Sequence, residues 1–298
     1  MNRPFGVAVG LVADRVTGEP PNELHPVAWF GTAMIRLEDL VWADRRLAGV
    51  VYTAAGVGLG ALAGWRARSL STVVSVAVAG SQLRRTATHI AEALDTGDLD
   101  LARERLPALV GRDPSDLDES AISAAVIESV AENSVDAVFA PVFWGLIAGA
   151  PGAAAYRAIN TMDAMVGHRS ERYERFGWAS ARLDDVANWV PARLFALAVA
   201  VQRPDRISRV VWLIRRDAGA HPSPNAGVAE TAMAAAIERE LGGTLQYGER
   251  VEHRPRLGDG PRPSASDVSR AVRIADRAEW MLTIGLGVVG LLRFARRR

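Results

Sequence analysis

Leu47-Ala-Gly-Val-Val-Tyr-Thr-Ala-Ala-Gly-Val-Gly-Leu-Gly-Ala-Leu-Ala-Gly-Trp65 runs for 19 residues without a charge, between Arg45–Arg46 and Arg66. A helix rises about 1.5 Å per residue, so this stretch can cross a hydrocarbon core of about 30 Å. Working outward, Ser69–Leu83 is a second uncharged run between Arg68 and Arg84, short for a span, and pairs with the first as a helical hairpin in or on a membrane. Ala137–Tyr156 is uncharged but carries Pro141, Gly145, Gly149 and Pro151–Gly152. Val186–Gln202 is apolar except for Arg193, and Trp280–Leu292 is a short apolar run with Arg293 and Arg296–Arg298 behind it. Buried helices of a soluble protein are the competing reading for the shorter runs. The repeated Arg flanks, with Trp42, Trp65, Trp189 and Trp280 near the ends, favour a membrane, and the terminal arginines favour a cytoplasmic C-terminus. The expected fold is therefore all-α: a polytopic helical membrane protein, 1–298 as one membrane-embedded domain, with polar helical and loop segments between apolar helices.

Those polar segments have their own pattern. Residues 84–120 read as amphipathic helices with a turn near Thr96–Gly97. Residues 203–240 read as a helix, a Pro/Gly loop at 218–227 and a second helix. Residues 242–266 are loop-rich with room for a short strand pair, and 266–279 is helical with Ser266 as N-cap and Asp267 in the first turn. No alternating βα units argue for a nucleotide-binding sheet. No cleavable signal peptide is visible, since Asp14 interrupts the apolar run that starts at Phe5.

Composition removes whole classes of chemistry. The chain has no Cys, which excludes thiolate metal sites, disulfides and a Cys nucleophile. It has no Lys, so a Schiff-base lysine and a P-loop lysine are both excluded. Phosphate must then be handled by Arg, backbone N–H groups, helix N-termini or a metal. The net charge of +1 gives no field that points to nucleic acid.

Five clusters carry the candidate chemistry. Asp14-Arg15…Gly18-Glu19-Pro20-Pro21…His25-Pro26-Val27 places charges at the edge of an apolar run, and Pro26 holds His25 extended. Glu128, Glu132 and Asp136 fall at i, i+4 and i+8, one helical face of like charge. It needs either a hard cation such as Mg²⁺ or an Arg partner to be stable. Asn160 and Asp163 share a face just after the uncharged run, followed by Gly167-His168-Arg169, a loop suited to an anion. Arg182-Leu183-Asp184-Asp185 precedes Asn188, with Pro191 expected to kink the helix and Arg193 costly in lipid. Asp217…His221-Pro222-Ser223-Pro224-Asn225-Ala226-Gly227 runs into a helix that carries Glu230. Ser223 or Asn225 can cap that helix, and the N–H groups behind it would suit a phosphate.

In order and spacing these motifs resemble the adenosylcobinamide-phosphate synthase family of cobalamin biosynthesis, the CobD/CbiB family, over nearly the whole chain. The resemblance implies a multi-pass protein of the cell (inner) membrane. It also implies ATP-dependent amide formation between the free propionate of adenosylcobyric acid and aminopropanol or aminopropanol phosphate. A carboxylate must be activated before an amine can displace an oxygen from it, and that calls for ATP with Mg²⁺. The expected metal ligands are Glu128, Glu132, Asp136, Asp184 and Asp185. Asp14, Arg169, Arg193, Ser223 and Asn225 are expected to bind ATP, and His25, Glu132, Asp163, His168, Asp185 and His221 to act in catalysis, a histidine taking the proton of the ammonium. Membrane lipid, a homo-oligomer or other late cobalamin-pathway membrane enzymes are the expected partners.

ATP is cytoplasmic, so the breakers in Ala137–Tyr156 predict that the chain turns near Gly149–Gly152 and returns, leaving both flanking polar stretches on the cytoplasmic side. The rival readings are a non-catalytic membrane sensor or assembly subunit on the same scaffold, and a transporter. The transporter would call for inverted repeats, which the chain lacks.

Overall fold

The structure is a computed structural model that describes residues 2–111, 113–168, 170–247 and 250–296, apart from the side chains at 22 and 244–253. Among the described residues its regular structure is helical apart from one strand pair, and its contacts divide it into two units. The first comprises 1–81, 136–188 and 282–298; the second comprises 82–135 and 189–281.

In the first unit, α1 (Arg3–Thr17), α2 (Pro26–Val41), α3 (Arg46–Ala67) and α4 (Leu70–Ala77) precede α8 (Ala140–Val166). The first two apolar runs give α3 and α4, joined at Arg68, whose φ of 57° is left-handed, but the second run does not stay one helix to Leu83: α4 ends at Ala77, Val78 is extended and the next helix begins at Gly80. Helix α3 packs on α8 through a row of glycines. A Cβ on Gly56, Gly60 or Gly64 would lie 2.2 Å from Met162 Sδ, 2.7 Å from Ala158 Cβ or 2.4 Å from the Ala150 carbonyl. Membrane helices associate through such small-residue faces, where apolar burial gives little drive. Met34, Tyr52, Met162, Val166 and Phe176 fill the rest of this core.

The expected turn in Ala137–Tyr156 is a reversal. Gly149 breaks α8 at φ 70°, ψ −153°, a conformation that excludes a Cβ. A Cβ on Gly152 would lie 2.4 Å from the Trp144 carbonyl, whereas eight residues of continuous helix would separate the two by about 12 Å. The arms pack on each other through Ala140, Tyr156 and Ile159. Arg3 donates to the carbonyls of Leu146 and Ile147, two of the acceptors that the end of the first arm leaves open.

The second unit holds α5 (Gly80–Asp95, from Gln82 onward), α6 (Leu99–Arg105), α7 (Glu119–Ser134), α10 (Ile207–Asp217), α11 (Ala226–Ile237) and the antiparallel pair β1 (Leu241–Tyr247) and β2 (Arg250–Leu257). Gly97, with φ 74°, makes the expected turn between α5 and α6. Helix α11 is buried on every side, as its unbroken apolar sequence requires. α9 (Trp178–Ala200) and α12 (Ala265–Ala295) each contribute to both units. Ser264, not the expected Ser266, starts α12: its backbone N–H and hydroxyl both donate to the Asp267 carboxylate.

Among the described residues, three helical stretches are long and apolar enough to cross a membrane, Arg46–Ala67, Glu119–Val166 and Ala265–Ala295. The second of these is not one straight rod, because it contains the reversal at Gly149.

Candidate active site

The polar groups of the first unit gather at the end of the α8 hairpin remote from Gly149. Asn160, one turn beyond Arg157, accepts a hydrogen bond from its Nη1 at 3.2 Å. Arg157 is the cation that acts on both Glu19 and His25. The two are themselves paired, His25 Nε2 to Glu19 Oε2 at 3.8 Å. On the other side Asn160 also hydrogen-bonds Asp184, which feels the charges of Asp136 and Asp163. Tyr156, buried, donates to Asn188 Oδ1 at 2.8 Å and lies 3.5 Å from Asp136 Oδ1, while Asn188 donates to Asp184 Oδ2 at 2.9 Å. Asp136 and Asp163 come together here because the hairpin returns the chain to its starting end.

Burial, then the like charges of Asp136 and Asp163, raise the pKa of Asp184 well above its ordinary value, against the hydrogen bonds from Asn188 and Asn160. Its Oδ1 is buried without a hydrogen-bond partner. Burial also raises Glu19, opposed by Arg157, while burial and then Arg157 lower His25. His25 Nδ1 accepts from the Val27 N–H and so caps α2, which leaves Nε2 toward Glu19.

The remaining expected residues of this unit lie around the network. Asp14 accepts from the backbone and hydroxyl of Ser81, both at 3.1 Å. Asp185, adjacent in sequence to Asp184, pairs instead with Arg182 at 3.7 Å. His168 stands edge-on to Tyr173, ring centroids 5.0 Å apart. Arg169 lies outside the described residues.

The second unit contains a separate polar cavity of about 160 Å³, lined by Glu128, Ser129, Glu132, Asn133, Glu230 and Arg254 among others. Glu128 accepts the Gly242 N–H at 2.8 Å, and His221 Nε2 lies 3.8 Å from Glu230 Oε1, both side chains almost wholly buried. At the α11 N-terminus the expected anion site is already filled. Ser223 Oγ accepts from the N–H groups of Asn225 and Ala226, and backbone oxygens take those of Gly227 and Val228. A phosphate there would have to displace Ser223. Arg193 closes this loop, donating to Asn225 Oδ1, the Pro224 carbonyl and the Trp189 carbonyl.

The expected carboxylate set is thus divided. Regular α-helical spacing, on which the Glu128, Glu132 and Asp136 face was counted, ends at Ser134, where the π-helical turn Val135–Phe139 begins. Glu128 and Glu132 line the cavity of the second unit, and Asp136 belongs to the network of the first. Among the described residues no group of three or more His, Asp or Glu side chains stands at metal-holding distance. Arg157 and Tyr156 had no place among the expected site residues. The available signal was that they end the uncharged run Ala137–Tyr156, where a charge next to apolar helix needs a partner.

A model of the CobD/CbiB protein family matches residues 7–275. The chain belongs to the CobD/CbiB family. The cobalamin biosynthesis protein CobD of Mycobacterium tuberculosis H37Rv is 41% identical over 311 residues, covering 99% of this chain and 97% of that one. The protein of the same name from Rhodobacter capsulatus is 41% identical over 283 residues, 90% of each chain. That of Klebsiella pneumoniae is 40% identical, with 89% of this chain and 91% of that one covered. No solved structure matches the chain.

Proposed function

We propose that this protein is an ATP-dependent amide ligase of cobalamin biosynthesis, joining aminopropanol or its phosphate to the free propionate of adenosylcobyric acid. The observation that supports the reading most is the joined network of the first unit, in which a cation–carboxylate–histidine group is linked through Asn160 to three aspartates. The reaction needs both halves: a base for the ammonium, and negative groups for the cation that accompanies ATP.

His25 suits the base. A depressed pKa keeps the ring neutral and able to accept a proton at neutral pH, and Glu19 lies where it can steady the charged ring. Asp184, with Asp136 and Asp163, suits Mg²⁺ by chemistry. A buried carboxylate oxygen without a donor, crowded by like charges, is relieved by a hard cation, and Mg²⁺ commonly takes only one or two protein carboxylates, with substrate phosphates and water completing its shell. Bound there, Mg²⁺ would neutralise the phosphates of ATP as the propionate is activated. The amine nitrogen then forms the new C–N bond as the activated oxygen leaves, and its proton passes to the base. Of the residues expected to bind ATP, Asp14 accepts from Ser81 and Arg193 donates to Asn225, so a phosphate at the α11 N-terminus would have to displace bonds already made.

Detergent-purified protein supplied with adenosylcobyric acid, aminopropanol phosphate and Mg-ATP should give a corrinoid heavier by the amine less one water, with ATP consumed in step. No mass gain from either amine, with the corrinoid still bound, would favour the non-catalytic reading.

The pH dependence follows from His25. Burial favours the neutral ring, so it charges only in solution more acidic than its ordinary pKa of about 6.5. The acid limb of kcat/KM should therefore fall below pH 6.5, and His25→Gln should remove that limb along with most of the activity. An acid limb centred above pH 6.5, or one that persists in His25→Gln, would exclude His25 as the base.

The hairpin supports the expected topology, which labelling can test. Single cysteines introduced at Ser120 and Ser170, upstream and downstream of it, should both react with an impermeant thiol reagent in inverted vesicles and neither in intact cells. The absence of native Cys makes the labelling unambiguous. Labelling from opposite sides would refute a shared cytoplasmic face.

A further inference from the structure

Outside both polar clusters, the second unit carries a groove of about 520 Å³ between the C-terminal half of α9 and helix α10. Its floor is made of Ala196, Ala200 and Val210, all buried, and its walls of Leu197, Val201, Ile207 and Val211, all exposed. Alanines on the floor leave the space that larger side chains would have filled. Exposure of Leu197 at 59% and Val211 at 40% leaves an apolar wall facing outward along the whole groove.

The charge is confined to one end. Helices α9 and α10 are joined by a short turn after Ala200, so Arg193, seven residues before that turn, and Arg215, near the C-terminus of α10, lie together at the far end. Arg193 is committed to the 221–225 loop. Arg215 is exposed and, among the described residues, has no ion pair. Beside the groove, exposed Trp212 lies between two guanidinium groups, those of Arg209 at 4.5 Å and Arg216 at 4.6 Å from its ring centroid, which are themselves paired with Asp259 and Asp217. An aromatic ring flanked by cations on an amphipathic helix is the arrangement that seats a helix at a bilayer surface.

We propose that this groove binds an anionic phospholipid, with one acyl chain along the apolar walls and the phosphate at Arg215, and that α10 lies in the membrane interface. Polarity along the groove selects the occupant. An acyl chain matches the uncharged length, and a single phosphate matches the one uncommitted cation among the described residues that line it. A peptide helix would leave Arg215 unmatched, and a free phosphate would leave the apolar walls uncovered.

The experiment uses delipidated full-length protein in nonionic detergent, titrated with phosphatidylglycerol or phosphatidylcholine carrying a nitroxide on the upper acyl chain, and reads tryptophan quenching. Phosphatidylglycerol should half-saturate at about tenfold lower concentration than phosphatidylcholine. Arg215→Gln should abolish that difference with the helical circular dichroism unchanged, and Trp212→Phe should remove the component of the quenching that distinguishes the two lipids. Inorganic phosphate at tens of millimolar should not displace the lipid. Equal titrations for the two lipids, or an Arg215→Gln protein that behaves as wild type, would overturn the proposal. Displacement by phosphate alone would reassign the groove to a free anion, and displacement by adenosylcobyric acid would reassign it to substrate. Because the readout is lipid quenching, these results are independent of whether the protein turns over corrinoid.

Discussion

Asp184→Asn should lose about 10²–10³-fold or more in turnover while melting at the same temperature as the wild type or higher. The two halves of this result come from one cause. Asp184 is buried beside Asp136 and Asp163, so the folded protein must either hold a proton there or tolerate three clustered charges. Asparagine keeps the shape and the hydrogen bonds to Asn188 and Asn160 but removes the charge, which relieves the fold and removes a cation ligand. The measurement is corrinoid mass gain against Mg²⁺ concentration, paired with thermal unfolding in detergent. A structural carboxylate would show the opposite pattern, near-normal turnover with a clear drop in melting temperature, and that outcome would remove Asp184 from the site. Asp185→Asn is the informative neighbour, because its carboxylate turns instead to Arg182.

Gly152→Val should abolish the recovery of monodisperse protein, whereas Gly58→Ala should leave it intact or slightly raise the melting temperature. At Gly152 the first added carbon already lies 2.4 Å from the Trp144 carbonyl and 2.6 Å from Ala148 Cβ, so the arms of the hairpin must separate. Overpacking of this kind costs about 1–3 kcal/mol and often more against rigid backbone, and here it acts on the contact that brings Asp136 and Asp163 together. At Gly58, by contrast, a Cβ meets nothing within 4 Å, and an exposed helical glycine replaced by alanine gains about 0.5–1 kcal/mol. Size-exclusion profiles and thermal melts of the two variants check the pair. A well-folded, active Gly152→Val protein would show that the reversal at Gly149 is not the native path.

The sequence by itself determined that this is a helical protein with membrane-spanning segments and that Gly149–Gly152 breaks one of them. It also determined which families of chemistry are excluded, because runs of uncharged residues, chain breakers and missing residue types are local properties. Family membership was legible for the same reason, since the motifs from Asp14 to Gly227 are read in order along the chain. Only the tertiary structure decided which carboxylates act together. Helical spacing grouped Glu128 and Glu132 with Asp136, but packing assigns the first two to a cavity with Glu230 and Arg254, and Asp136 to a network with Asp163 and Asp184. Spacing counts only neighbours within one helix, whereas the hairpin at Gly149 brings together residues about 27 positions apart, and α9 adds a third segment of chain to them. The separate fates of Asp184 and Asp185 had the same origin. Adjacent residues on a helix point about 100° apart, so which of them is buried depends on what the helix packs against.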